Sequence, residues 1–227
     1  MTEPENKTSN RLLSISFLIS SVLIAGAIIY SAGLEPVKVD KVKENQASNF
    51  SEFEEKIIPS NGVELPIKWG DLGKQMIEAG VIDASKFESI YNQREGLTKE
   101  QKDFLYAKNN GNIVINSFNA GFVLNMFWAL GLGNKNDILE NGPMTDLKYG
   151  GAGRFASTGG WTLANGDAMN HYSRHRFINL TPEQQAIVER VSKGIYRPCC
   201  DNSVYFPDCN HGMAMLGFLE LAASQGF

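Results

Sequence analysis

The residues with chemical potential in this sequence are concentrated near its C-terminal end. All three cysteines, Cys199, Cys200 and Cys209, lie within eleven residues, and the first 198 residues contain none. The only histidines are His171, His175 and His211, so sulfur and imidazole ligands fall within 41 residues of a 227-residue chain. Thiolates suit copper(I), zinc and iron–sulfur centres, and imidazole suits copper, zinc and iron. The predicted metal-binding set is therefore Cys199, Cys200, Cys209 and His211, with copper, zinc or iron as the ion. Met213 or Met215 beside the Cys-x-His pair tilts the choice towards copper, and Met215 stands one helical turn from His211. The spacing is not that of a zinc finger, which carries two C-x-x-C or similar clamps.

His171 and His175 are four apart in Asp167-Ala168-Met169-Asn170-His171-Tyr172-Ser173-Arg174-His175. On a helix both rings would project from one face, which makes them further candidate ligands with Asp167 as an orienting partner. The Glu that follows the first His of a zinc-protease helix is missing, so that chemistry is unsupported. Two other readings of the cysteines stand beside metal binding. The thiols could exchange disulfides, with Cys199 and Cys200 alternating as partners of Cys209, although no C-x-x-C pattern is present. A single disulfide such as Cys200–Cys209 could instead staple a scaffold or interaction domain, contributing roughly 2–3 kcal/mol for a loop of about ten residues. No residue is assigned a catalytic role.

Several elements must position this cluster. Asp208 or Asn210 can cap a final helix running to Gln225, which puts Cys209 at or beside a helix N-terminus, where a thiolate is favoured. Thr181-Pro182-Glu183-Gln184 is the clearest helix start, with Thr as cap, Pro at the first position and Gln closing a capping box. That helix should stop at Gly194. Thr98 and Gln101 form a second box opening Lys99–Lys108, Asp83 can cap a segment to Tyr91, and Asp71–Ala79 reads as a helix ended by Gly80. Ile113–Leu132, with Phe118, Phe122, Phe127 and Trp128, is read as one central core helix. Its residues Asn116, Asn119 and Asn125 would be costly in lipid. No convincing strand alternation is read, although Val114 and its neighbours could pair locally. Gly150–Gly160 holds five glycines in eleven residues. Gly151-x-Gly153-x-x-Ala156 formally resembles a dinucleotide loop, but Met144–Tyr149 is not the buried strand that motif needs. An irregular loop packed against a helix or against the cysteine site is the expectation.

Towards the N-terminus, Leu12–Gly33 is a run of 22 residues without a charge, long enough as a helix to cross a hydrocarbon core of about 30 Å. Lys7 and Arg11 precede it. Ala25-Gly26-Ala27 could serve as a cleavage site, but the apolar run continues past it, which favours an uncleaved signal anchor. The expected organisation is a tail (1–11), a transmembrane signal anchor (12–33) in contact with membrane lipid, a polar linker (34–66) and a mainly α globular domain (67–227) with a glycine-rich loop. A short N-terminal tail places that domain outside the cytoplasm. The net charge of -4, from 21 basic and 25 acidic residues interspersed along the chain, offers no basic block for nucleic acid.

Overall fold

The computed structural model describes residues 53, 55–92 and 95–227. Its first strand, β1 (Val63–Gly70), begins within the stretch read as linker. Leu65, Ile67 and Trp69 alternate with Glu64, Pro66 and Lys68, and Ile67 and Trp69 are buried. This period of two is a strand signal, disguised by a proline in mid-run. β1 pairs antiparallel with β2 (Asn110–Ile115), and the register slips between Leu65 and Lys68. Pro66, which has no N–H to give, lies in that irregularity.

Between the strands run α1 (Leu72–Glu78), α2 (Ala84–Asn92) and α3 (Lys99–Tyr106). The expected punctuation is present. Asp83 accepts from the Lys86 amide, Thr98 and Gln101 form a complete capping box, and Gly80 turns the chain with φ of +80°. Trp69 ties the ribbon to the helices by stacking on Phe104 at 4.4 Å, meeting Phe127 edge-on at 5.4 Å and donating Nε1–H to the Phe104 carbonyl.

The single helix expected over Ile113–Leu132 is corrected to a strand, a turn and a shorter helix, α4 (Ala120–Gly133). Two asparagines break it. Asn116 Oδ1 accepts from the amides of Phe118 and Asn119, Asn119 Oδ1 accepts from the Asn116 amide, and Asn119 Nδ2 donates to the Val114 carbonyl. Side chains that satisfy local backbone groups compete with a helix at that point. Beyond the turn, α4 is a core helix, with Met126, Ala129, Leu130 and Leu132 fully buried.

A short helix, α5 (Asp137–Asn141), follows, capped by Asn136. Residues 143–180 contain four brief 3₁₀ segments and no longer helix. The glycine-rich stretch is an irregular loop. The Ser157 amide donates to the Asp208 carbonyl, and the Trp128 indole donates to the Ser157 carbonyl, so the loop bridges α4 and the chain leading to Cys209. Then come α6 (Pro182–Gly194), the short pair β3 (Tyr196–Arg197) and β4 (Asn202–Ser203), and α7 (Asn210–Ser224). The Thr181/Gln184 box is formed and α6 stops at Gly194, as expected. α4 and α7 make the most extensive helix pairing, and α6 packs beside α7.

The transmembrane part of the expected fold is corrected. Among the described residues no helix is long and apolar enough to cross a membrane. The longest, α7, has 15 residues, about 22 Å at 1.5 Å per residue, against a hydrocarbon core of about 30 Å. Leu12–Gly33 itself lies outside the described residues. Single-pass anchoring, the signal anchor and the extracytoplasmic placement that depended on it are therefore unsupported. What the structure does contain is a helical assembly with two small two-stranded sheets.

Candidate functional site

β3 and β4 pair as Tyr196 with Ser203 and Arg197 with Asn202. The four residues between them, Pro198 to Asp201, form the hairpin tip, so Cys199 and Cys200 are turn residues. The Cys200 amide donates to the Arg197 carbonyl at 3.1 Å. Asp201 adopts φ of +52°, a conformation that aspartate tolerates better than most residues, and its carboxylate accepts from the Tyr196 hydroxyl. From β4 the chain passes Phe206 and Asp208 and reaches Cys209, the N-cap of α7. The helix start expected near Cys209 is thus present, but its cap is the Cys209 thiol and not Asp208 or Asn210 as expected: Cys209 Sγ accepts from the Gly212 amide at 3.4 Å.

This layout puts the three sulfurs in a row. Cys199 Sγ is 3.5 Å from Cys200 Sγ, which is 3.4 Å from Cys209 Sγ. All three are free thiols. Cys199 is exposed, while Cys200 and Cys209 are half-buried. Among the described residues, the one group of three or more candidate ligand atoms within 4.8 Å of one another is Cys200, Asp208 and Cys209. Cys199 stands outside that group on the solvent side.

Arg197 organises the site. Its side chain is buried, Nη1 donates to Cys209 Sγ at 2.7 Å, and Nη2 donates to Asp208 Oδ1 at 2.9 Å and to the Phe206 carbonyl at 2.6 Å. It also reaches Asn202 Oδ1, while Asn202 Nδ2 donates to Asp208 Oδ2 at 2.9 Å. Both Asp208 oxygens are therefore engaged within the loop. Gly212 makes the arrangement feasible, because a Cβ there would come within 2.4 Å of Arg197 Nη1. The contacts of Cys209 Sγ with Arg197, Gly212 and Cys200 all bring donors to it. The Cys200 thiol is pushed up to about 12, first by its hydrogen bond to Cys209, then by that to Cys199 and by burial; Arg197 pulls the other way. Cys200 is thus a protonated thiol handing its hydrogen to Cys209.

The other predicted ligands lie apart from this group. His211 is exposed, in the first turn of α7, and its amide donates to Asn210 Oδ1. Met215 is also exposed and Met213 is buried in the core. His171 and His175 do meet, but not as neighbours on a helix. A 3₁₀ turn (Ala168–Asn170) precedes His171, and Ser173, with φ of +50°, turns the chain. His171 Nδ1 and His175 Nε2 are 3.1 Å apart, and His171 Nε2 lies 3.0 Å from the Asn165 carbonyl. A carbonyl only accepts, so His171 carries its proton on Nε2 and accepts at Nδ1 from His175. The ring nitrogens of this pair that face protein are thus spent on each other and on Asn165. Burial, the His171 ring and the Arg174 charge hold His175 below its usual value.

Arg197, Asn202 and Asp208 are the site residues that sequence reasoning missed. Arg197 precedes Pro198-Cys199 and Asp208 precedes Cys209, so opposite charges flanking the two cysteine arms were the available signal.

No family model matches this chain, and neither a curated protein nor a solved structure matches it.

Proposed function

We propose that the protein binds a thiophilic metal ion through Cys200 and Cys209, with copper(I) the ion best suited to the donors. The observation that carries this reading is the pair of sulfurs 3.4 Å apart. Two metal–sulfur bonds of about 2.3 Å need sulfurs about 3.8 Å apart at a tetrahedral angle and up to about 4.6 Å apart in the near-linear arrangement that two thiolates give copper(I), so the pair opens by about 1 Å as the exposed hairpin tip carrying Cys200 shifts outward. Both Asp208 oxygens are tied to Arg197 and Asn202, and no histidine joins the group. Sulfur is then the donor on offer, which favours a soft univalent ion over zinc or iron(II). The buried Arg197 guanidinium beside Cys209 disfavours added divalent charge and provides an N–H···S bond of the kind that tunes metal-bound thiolates.

Anaerobic loading with copper(I), zinc and iron(II), followed by elemental analysis of desalted protein, tests the proposal. Stoichiometric copper retained by the native chain and lost in Cys209→Ser is the expected result. Protein that retains no metal and instead forms a readily reducible disulfide would favour a second reading, thiol–disulfide exchange, which the contact of Cys200 with both other sulfurs supports.

A further inference from the structure

Resting on that reading of the Cys200–Cys209 pair, we infer that Cys199 is the receiving thiol of a ligand-exchange relay that takes copper(I) from thiolate-ligated donors and passes it inward through Cys200 to Cys209. The geometry that points to this is an ordered row of sulfurs, not a converged cage. Cys200 is in contact with both neighbours, at 3.5 Å and 3.4 Å, while Cys199 stands outside the compact group. Exposure falls inward along the row, from exposed Cys199 to half-buried Cys200 and Cys209. The inner end is held in place: Cys209 Sγ is fixed by Arg197 and the Gly212 amide. The outer end sits on a hairpin tip after Pro198, where a thiol can meet an incoming complex. A cage would hold three sulfurs about equally; a row with one free end suits transfer.

The exchange is balanced without any redox change. A donor RS–Cu–SR meets the Cys199 thiol, a copper–sulfur bond to Cys199 forms, one RS–Cu bond breaks, and the Cys199 proton leaves with the departing thiolate as RSH. Cys200 displaces the second donor thiolate in the same way, its own proton completing the second RSH. Cys209 then replaces Cys199 on the metal, and the Cys209 proton returns to the Cys199 sulfur. Copper stays univalent throughout, now between Cys200 and Cys209, and Cys199 is again a free thiol.

The experiment compares full-length native protein, Cys199→Ser and Cys209→Ser, mixed anaerobically with the copper(I)–glutathione complex. The readouts are the rate of rise of the thiolate-to-copper ultraviolet absorbance and the final copper per chain. Loading of Cys199→Ser at least tenfold slower than native, reaching the same final copper content, is expected, with Cys209→Ser failing to retain copper after desalting. Native and Cys199→Ser loading at equal rates would overturn the relay while leaving the metal site intact. Cys199→Ser losing its copper on desalting would also overturn it, by making Cys199 a permanent ligand. A native protein that takes up no copper would overturn both the site and the relay.

Discussion

Arg197 Nη1 lies 2.7 Å from Cys209 Sγ, while Nη2 of the same guanidinium holds Asp208 at 2.9 Å. One buried cation thus joins the β3–β4 hairpin to the residue that starts α7. Replacing it with methionine removes the charge and leaves the largely buried Asp208 carboxylate without its ion pair. Breaking a buried pair from one side costs about 3 kcal/mol. Arg197→Met should therefore lower stability by about that amount in urea unfolding, and a loss below about 0.5 kcal/mol would show that the guanidinium is not structural.

Cys209 has a structural duty that serine can take over. Its sulfur caps α7 by accepting from Gly212, and serine is a stronger N-cap than most residues, whereas alanine costs about 1 kcal/mol. Cys209→Ser should keep native thermal stability while losing copper, and Cys209→Ala should lose both. Thermal melts of the two metal-free variants check this. A Cys209→Ser protein that melts far below native would mean that the sulfur packs in a way oxygen cannot reproduce.

Gly131 and Gly217 let α4 and α7 touch backbone to backbone. A Cβ on Gly131 would stand 2.1 Å from the Met213 carbonyl oxygen, and one on Gly217 would stand 2.6 Å from that of Phe127. Neither obstacle is a side chain that can swing away. Gly131→Ala and Gly217→Ala should each cost about 3 kcal/mol by overpacking, outweighing alanine's better helix propensity of about 1 kcal/mol. Chemical denaturation of either variant at native stability would contradict the close crossing.

Glu220 is completely buried on α7, with Asn134 Nδ2 at 3.0 Å and Asn136 Nδ2 at 2.6 Å. Burial holds its carboxyl well above the ordinary value of 4.5, against the pull of the two amides. The unfolded chain ionises this group first as pH rises, so its contribution is fully present below about 4.5 and is lost progressively above, towards the folded value. Glu220→Gln cannot ionise. The stability of native protein relative to this variant should therefore fall as pH rises from 4.5 to 8 in urea titrations. Parallel curves for the two proteins would show that Glu220 does not titrate in that way.

His175 has the opposite sense. Its depressed folded value means that it favours folding while neutral. That stability is complete above the ordinary value of 6.5 and is lost as pH falls below it through the folded value. Protonating His175 leaves Nε2 a donor but adds charge beside His171 and Arg174. Unfolding midpoints at pH 7.5 and 5.5 should show a larger acid loss in native protein than in His175→Gln. Equal losses would remove the pair from the account.

The sequence by itself determined those features whose partners lie a few residues apart. The Thr98/Gln101 and Thr181/Gln184 boxes, the stops at Gly80 and Gly194, and the helix start at Cys209 all depend on contacts within about one turn, and each was legible. The cysteines were legible as a cluster because they are close in sequence: Cys199 and Cys200 share the hairpin tip, and Cys209 follows within ten residues.

Tertiary structure decided what spans longer separations. β1 meets β2 across some forty residues, and only that pairing makes Val63–Gly70 a strand in spite of Pro66. The burial of Arg197 depends on the space left by Gly212, and that of Glu220 on Asn134 and Asn136, which are more than eighty residues away. His171 and His175 meet through a turn, where spacing alone suggested a helix. Sequence spacing names the groups that can do chemistry. Which of them share a site depends on desolvation and packing between distant segments, and here these leave His211 in solvent and bring Arg197 to the Cys209 sulfur.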